Sequence, residues 1–140
     1  MLSALDISTS ALVAQRQRLT AIANNIANLN TTRNEQGELE PYQAKFVTFQ
    51  TAESKQGAFG AAGVKVSSVE TSQAEPLWRY QPSHPDAVKE GPKAGYVAYP
   101  NVNMMEEFTD ALTASRAYEA NVGVIEVTKD LNQQTLRLLA

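Results

Sequence analysis

The only histidine in this 140-residue chain, His84, sits in the run Ser83-His84-Pro85-Asp86, which gathers a hydroxyl, an imidazole and a carboxylate. These are the groups of acyl-transfer catalysis, where the imidazole takes the hydroxyl proton and the carboxylate orients the ring. That chemistry requires convergence in space beside an oxyanion site, and adjacency along a chain does not supply it. With Pro82 and Pro85 flanking the dipeptide Ser83-His84, the run reads as a turn in which Asp86 or the His84 ring hydrogen-bonds the loop. A lone histidine without cysteine leaves only scattered carboxylates as metal ligands, and no phosphate-cradling glycine pattern is present. No catalytic, cofactor-binding or metal-ligating residue is assigned, and no cofactor is expected. Trp78, Tyr80, Tyr96 and Tyr99 are the other residues able to form a ligand groove. They read as packing of a small β element, because each ring buries a large apolar area; a contact between subunits is the alternative.

Composition narrows the remaining functions. Hydrophobic residues make up 43% of the chain and charged residues 19%, enough for one domain with a core. The net charge of −3 and the scatter of the basic residues argue against nucleic-acid binding. Without cysteine the fold must hold by packing alone. The first residues lack a basic cluster before an apolar core, and no stretch approaches the roughly 20 apolar residues that span a bilayer. By these signals the chain would be cytoplasmic and not inserted in a membrane, a reading that holds only if export always uses a cleaved signal.

The elements that position these residues are concentrated at the two ends. In the first 30 residues Leu5, Leu12, Leu19 and Ile26 recur every seven positions, with Ile22 and Leu29 extending the stripe, as in a helix lying along another helix. This helix is expected from a Ser3 cap to about Asn28. Asn24, Asn25, Asn28 and Asn30, with Thr31 and Thr32, compete for backbone hydrogen bonds and mark its exit. Asn25, beside Ile22 and Ile26, is the candidate to point inward and fix register.

The last helix is expected to start at an Asn103 cap completed by Glu106, and to run to the end of the chain. One of its lines is Met104, Ala111, Tyr118 and Ile125, with Phe108, Ser115 and Val122 interleaved; a second is Ala117, Val124, Leu131 and Leu138. A helix with apolar lines on two sides needs several neighbours. Length agrees, since a helix of about 38 residues spans about 57 Å, whereas a compact globule of this size is about 37 Å across. Charge adds a weak preference for pairing the ends, because residues 1–30 sum to +1 and residues 103–140 to −3.

Between the ends lie a polar loop to Glu40, a strand over Tyr42 to Phe49, a hinge over Gln56 to Gly63, strand-like alternation from Val64 and an apolar-aromatic run from Leu77 to Tyr80. Residues 81–102 hold four of the six prolines and read as a folded-back connector with a brief strand at Tyr96 to Tyr99. The expected fold is mainly α with a small β element, in which long N- and C-terminal helices form a coiled-coil-like hairpin. Three parts follow: residues 1–32, residues 33–102 and residues 103–140.

Two blocks carry a family resemblance. Ser10-Ala11, Ala14-Gln15-Arg16, Arg18-Leu19 and Ile22-Ala23-Asn24-Asn25-Ile26-Ala27-Asn28 with Asn30-Thr31-Thr32 resemble the N-terminal signature of bacterial flagellar rod and hook proteins. His84-Pro85-Asp86-Ala87, Gly95-Tyr96-Val97-Ala98-Tyr99-Pro100-Asn101-Val102-Asn103 and Ala114-Ser115-Arg116-Ala117-Tyr118-Glu119-Ala120-Asn121 resemble the proximal-rod members. Val88 to Ala94 looks longer than the usual link in that family.

The resemblance implies a self-assembling, non-enzymatic subunit of the basal-body rod, a helical tube carrying torque across the periplasm. Its partners would be other rod proteins and copies of itself, with the flagellar type III export apparatus met in transit and no signal peptide cleaved. The family's terminal segments order on assembly. The competing readings are a cytoplasmic coiled-coil adaptor for a helical partner and a small hydrolase using His84.

Overall fold

The structure, a computed structural model, describes residues 2–52 and 62–139, and side chains from Ala4 to Leu138 within them. Two long helices, α1 (Leu2–Ala27) and α2 (Met104–Leu139), bracket four short strands: β1 (Lys45–Thr51), β2 (Val64–Thr71), β3 (Leu77–Tyr80) and β4 (Tyr96–Tyr99). The Ser3 side chain and most of the Gln56 to Gly63 hinge lie outside the described residues.

Helix α1 is the centre of the molecule. It packs against α2 on one side and against the β1/β2 hairpin on another. Asn25 meets Glu107 and Arg18 meets Asp110, so the helices run antiparallel from a shared end. The positions on α1 most shielded from solvent are Ser8, Ala14, Ala21, Ile22 and Asn25, and on α2 Ala114 is fully buried. The heptad residues Leu5, Leu12, Leu19 and Ile26 are only half-buried and flank this centre. Small side chains occupy it because a helix covered on two sides must let both neighbours approach closely.

The β element is two hairpins rather than one. Strands β1 and β2 pair antiparallel, and the register shift after Thr48 leaves Ser67 opposite no residue. That extra residue keeps Val69, paired with Val47, on the face of Val66, paired with Phe49. Val64, Val66 and Val69 accordingly line one groove with Ser10, Val13 and Ala14 of α1. Ser10 Oγ accepts the Val64 amide at 3.1 Å, and a Cβ at Gly63 would come within 2.6 Å of that oxygen, so glycine is required there. Strand β1 begins at Lys45, three residues later than the alternation suggests. The reason is local: the Tyr42 amide donates to Thr31 O at 3.0 Å, tying Tyr42 to the segment that leaves α1.

Strands β3 and β4 match their expected spans and pair antiparallel, Leu77 with Tyr99 and Tyr80 with Tyr96. This second hairpin is held to the rest of the chain by loops. Asp86 Oδ2 accepts Thr32 Oγ1 at 2.6 Å, and Asp86 Oδ1 accepts both Arg33 Nε, at 2.7 Å, and Arg33 Nη2.

Candidate functional site

Asn25 is the polar centre of the helix pair. Its Nδ2 donates to Lys45 O at 2.8 Å and to Glu107 Oε1 at 2.9 Å. Its Oδ1 accepts from Tyr42 O–H at 2.9 Å and from Lys45 N at 2.8 Å. One amide, 2% exposed, therefore has both hydrogens and both lone-pair directions used, and joins α1, the start of β1 and the first turn of α2. Such a group specifies register, because any slip along the seam strands four partners at once. Burial pushes the Glu107 carboxyl above the usual glutamate value; the Asn25 bond pulls it back, and Asp110 and Glu106 push it further up. Burial, and then the Glu107 charge, raise the Tyr42 phenol as well.

The neighbouring amides do different work. Asn28 Nδ2 donates to Asn24 O at 2.8 Å and Asn28 Oδ1 accepts from Thr31 Oγ1 at 3.0 Å, which is termination chemistry. Asn24 and Asn30 are exposed. Of the cluster, Asn25 alone reaches across to another element.

At the start of α2, Asn103 Oδ1 accepts the Met105 amide at 3.1 Å. The return bond of a capping box is not made among the described residues: Glu106 is exposed, and the next residue, Glu107, turns in to Asn25. Along α2 the side facing α1 runs through Glu107, Ala111, Ala114, Asn121, Val122 and Ile125, all buried or half-buried, with Tyr118 at its edge. The other candidate positions stand open. Met104 is 47% exposed, Phe108 49%, Val124 48%, Leu131 52% and Leu138 88%. On α1, Leu29 is half-buried just beyond the helix end.

Sequence reasoning missed Ser8, Ala14, Ala21 and Ala114, because alanine and serine carry little apolar signal and their importance is their smallness. Length explains part of the exposure on α2. At about 1.5 Å per residue, α1 spans about 39 Å and α2 about 54 Å, so the last turns of α2 extend past the start of α1. Leu136 falls on the side of α2 that faces α1 further back, yet is 67% exposed.

The aromatic residues correct an expectation. Only Tyr99 is buried; Trp78 and Tyr96 are each 37% exposed and Tyr80 is 65% exposed. They share one face of the β3/β4 hairpin, whose opposite face carries Val97 and Tyr99 into the interior. His84 Nδ1 accepts the Asp86 amide at 3.1 Å, while the Asp86 carboxylate is committed to Arg33 and Thr32. Those bonds, Arg33 foremost, hold the carboxyl below its usual range. The carboxylate thus orients Arg33 rather than the imidazole, and the Ser83-His84-Pro85-Asp86 run is a structural turn. Among the described residues no cluster of His, Asp or Glu could hold a metal ion, and no helix is long and apolar enough to cross a membrane.

Comparison with known proteins matches both ends of the molecule. Residues 5–33 match the family "Flagella basal body rod protein", and residues 93–138 match "Flagellar basal body rod FlgEFG protein C-terminal". The flagellar basal-body rod protein FlgC of Borreliella burgdorferi is 37% identical over 150 residues, covering 99% of this chain and 97% of the relative. That of Escherichia coli O157:H7 is 41% identical over 138 residues, with the same coverage, and that of Bacillus subtilis is 37% identical over 146 residues, covering 96% and 95%. With its two helices joined at Asn25 and a helix face left open, the chain belongs to the FlgC family of flagellar basal-body rod proteins, structural subunits of the flagellum.

Proposed function

We propose that the chain is a non-enzymatic subunit of the proximal rod, exported through the flagellar type III apparatus without a cleaved signal, and that it packs through the open sides of its helices onto other rod proteins and copies of itself. In this reading residues 1–32 and 103–140 form the rod core and residues 33–102 lie around it. The subunit contacts are made by Val124, Leu131 and Leu138 on α2, by Met104 and Phe108 near its start, and by the flanking leucines of α1. The observation that carries this is the overhanging, uncovered end of α2, where Leu131, Leu136 and Leu138 are exposed by more than half. Apolar side chains so placed gain free energy only when a neighbour covers them. The rod would transmit torque across the periplasm because each helix is clamped by several others. Helical ends that complete their packing only against neighbours would also hold back polymerisation until subunits reach the growing tip, since their ordering entropy is offset only there.

The test is a paired secretion and motility assay. In a rod-assembly mutant the chain should appear in the culture supernatant with its N-terminus intact. In a strain lacking the native gene, a Leu131→Asp, Leu138→Asp double variant should be synthesised and secreted yet leave cells non-motile. Retention of the wild-type chain in the cytoplasm, or normal swimming with the double variant, overturns the proposal.

A further inference from the structure

The β3/β4 hairpin presents an aromatic face that the helix seam does not use and the chain covers only in part, Trp78 and Ala98 lining a small cleft with Thr32, Leu39 and Val88. Trp78, Tyr80 and Tyr96 project from one face of it, with Ala98 completing the cross-strand pairs. Tyr80 and Tyr96 meet edge to face at 5.2 Å, and a Cβ on Gly95 would come within 2.7 Å of the Tyr80 ring, so the two tyrosines are fixed against their own backbone. The loop 88–94 folds back over this face. It is closed by bonds from Gly95 N to Val88 O at 2.8 Å and from Val88 N to Tyr96 O at 2.9 Å, and it sets Lys93 Nζ 3.8 Å from the centre of the Trp78 ring. Lys89 stands exposed on the same loop, with Glu90 as its only carboxylate. The surface is thus aromatic with a net cationic rim.

The start of α2 is its complement. Met105 and Leu112, 72% and 62% exposed, are among the most open large apolar side chains described, and Phe108 lies between them. Met105 shares a shallow groove with Glu106, Thr109 and Asp110. Residues 104–112 carry three carboxylates and no cation; Glu107 turns in to Asn25 and Asp110 pairs with Arg18, which leaves exposed Glu106 to face a partner. Within one subunit the two surfaces do not meet, since β3/β4 and α2 make no contact as elements.

We propose that the Trp78–Tyr80–Tyr96–Lys93 face receives the first turns of α2 from a second copy of this chain, with Met105 and Phe108 against the rings and Glu106 facing Lys93. Thioether and aromatic side chains pack well on ring faces, and the opposite charges set the docking direction. Because the two patches differ, the contact is head-to-tail and leaves one of each free for the next copy, as a ring or helical array requires. This rests on the rod reading above and names one joint within it.

Trp78 is the chain's only tryptophan, so its emission reports the contact directly. In purified wild-type chain the emission should shift to shorter wavelength as protein concentration rises. Lys93→Glu and Glu106→Lys, each referred to its own dilute spectrum, should move the midpoint of the shift about tenfold higher, the effect of losing one favourable charge pair. An equimolar mixture of the two variants should restore the wild-type midpoint, because each mutated patch then meets an oppositely mutated one. Two results would overturn the joint: no concentration-dependent shift, or a shift that Glu106→Lys leaves unchanged. A shift produced by soluble glycan fragments at fixed protein concentration, and not by the protein itself, would overturn it in favour of a carbohydrate occupant. Secretion and motility, scored separately, show whether the rod reading stands when this contact fails.

Discussion

The two ends of the helix pair are built on opposite principles. At the near end, Asn25 places four hydrogen bonds between three elements, and every partner is supplied by the chain itself. At the far end, α2 runs past α1 with Leu131, Leu136 and Leu138 open, and none of the described residues covers them. Directional polar bonds tolerate little displacement, whereas apolar contacts accept many geometries, so the first end can set register inside a subunit while the second is suited to the neighbours proposed for it. A similar contrast separates the two hairpins: β1/β2 sets Val64 and Val66 against α1, and β3/β4 keeps Trp78, Tyr80 and Tyr96 outside.

Substitutions at the closed end should produce the largest changes in the isolated chain. Asn25→Ala leaves Tyr42 O–H, Lys45 N and O and the Glu107 carboxyl without their partner, and is expected to cost about 3 kcal/mol in urea unfolding. A loss below about 1 kcal/mol would show that water replaces the amide, and the register argument would lose its footing. Ala114→Leu puts a larger side chain at a fully buried position of the seam and should cost about 2 kcal/mol by overpacking. If it stabilises the chain instead, the helices are not in close approach there.

Acid titration sharpens the comparison between the two polar anchors, because they respond with opposite sign. The folded Glu107 carboxyl binds its proton more tightly than the unfolded one, so its contribution is fully present below the unfolded value and is lost as pH rises through the raised folded value. Asp86 is held low, so its contribution is present above the unfolded value and is lost as pH falls through the folded one. Across the acid range Glu107→Gln should remove a component of stability that grows on acidification, and Asp86→Asn one that declines. Urea midpoints against pH for the two variants test this, and parallel curves would refute it.

Smaller effects are expected on the rim and at the open end. Arg18→Ala breaks an ion pair of 3.2 Å whose aspartate is more than half exposed, and should cost about 0.5 kcal/mol, less in high salt. Leu138→Asp should leave unfolding of the isolated chain within about 0.5 kcal/mol of wild type. Any marked destabilisation would mean that the far end is already covered within the subunit, and the contrast between the ends would fail.

Much of this design is legible in the residues. Both helices, the two short strands flanking the proline-rich connector and the inward role of Asn25 follow from periodicity, capping residues and an amide set among apolar neighbours. The double apolar patterning of α2 is also readable, since side chains recurring on two sides of a helix need no coordinates to be seen. The packed centre is less legible. Ser8, Ala14, Ala21 and Ala114 give almost no hydrophobic signal, whereas the leucines that counting picks out on α1 are only half-buried.

The sequence by itself determined which segments are helical, where they begin and end, and that they carry more apolar surface than one partner covers, because these are local properties of spacing, capping and length. Only the tertiary structure decided which of the two sides of α2 is used within the subunit. That choice rests on close approach of small residues and on one amide satisfying groups 20 and 82 positions away, and no local pattern encodes such separations. It also decided that Trp78, Tyr80 and Tyr96 face outward, since the pairing of two strands sets which rings share a face and the packing of the loops sets which face is buried.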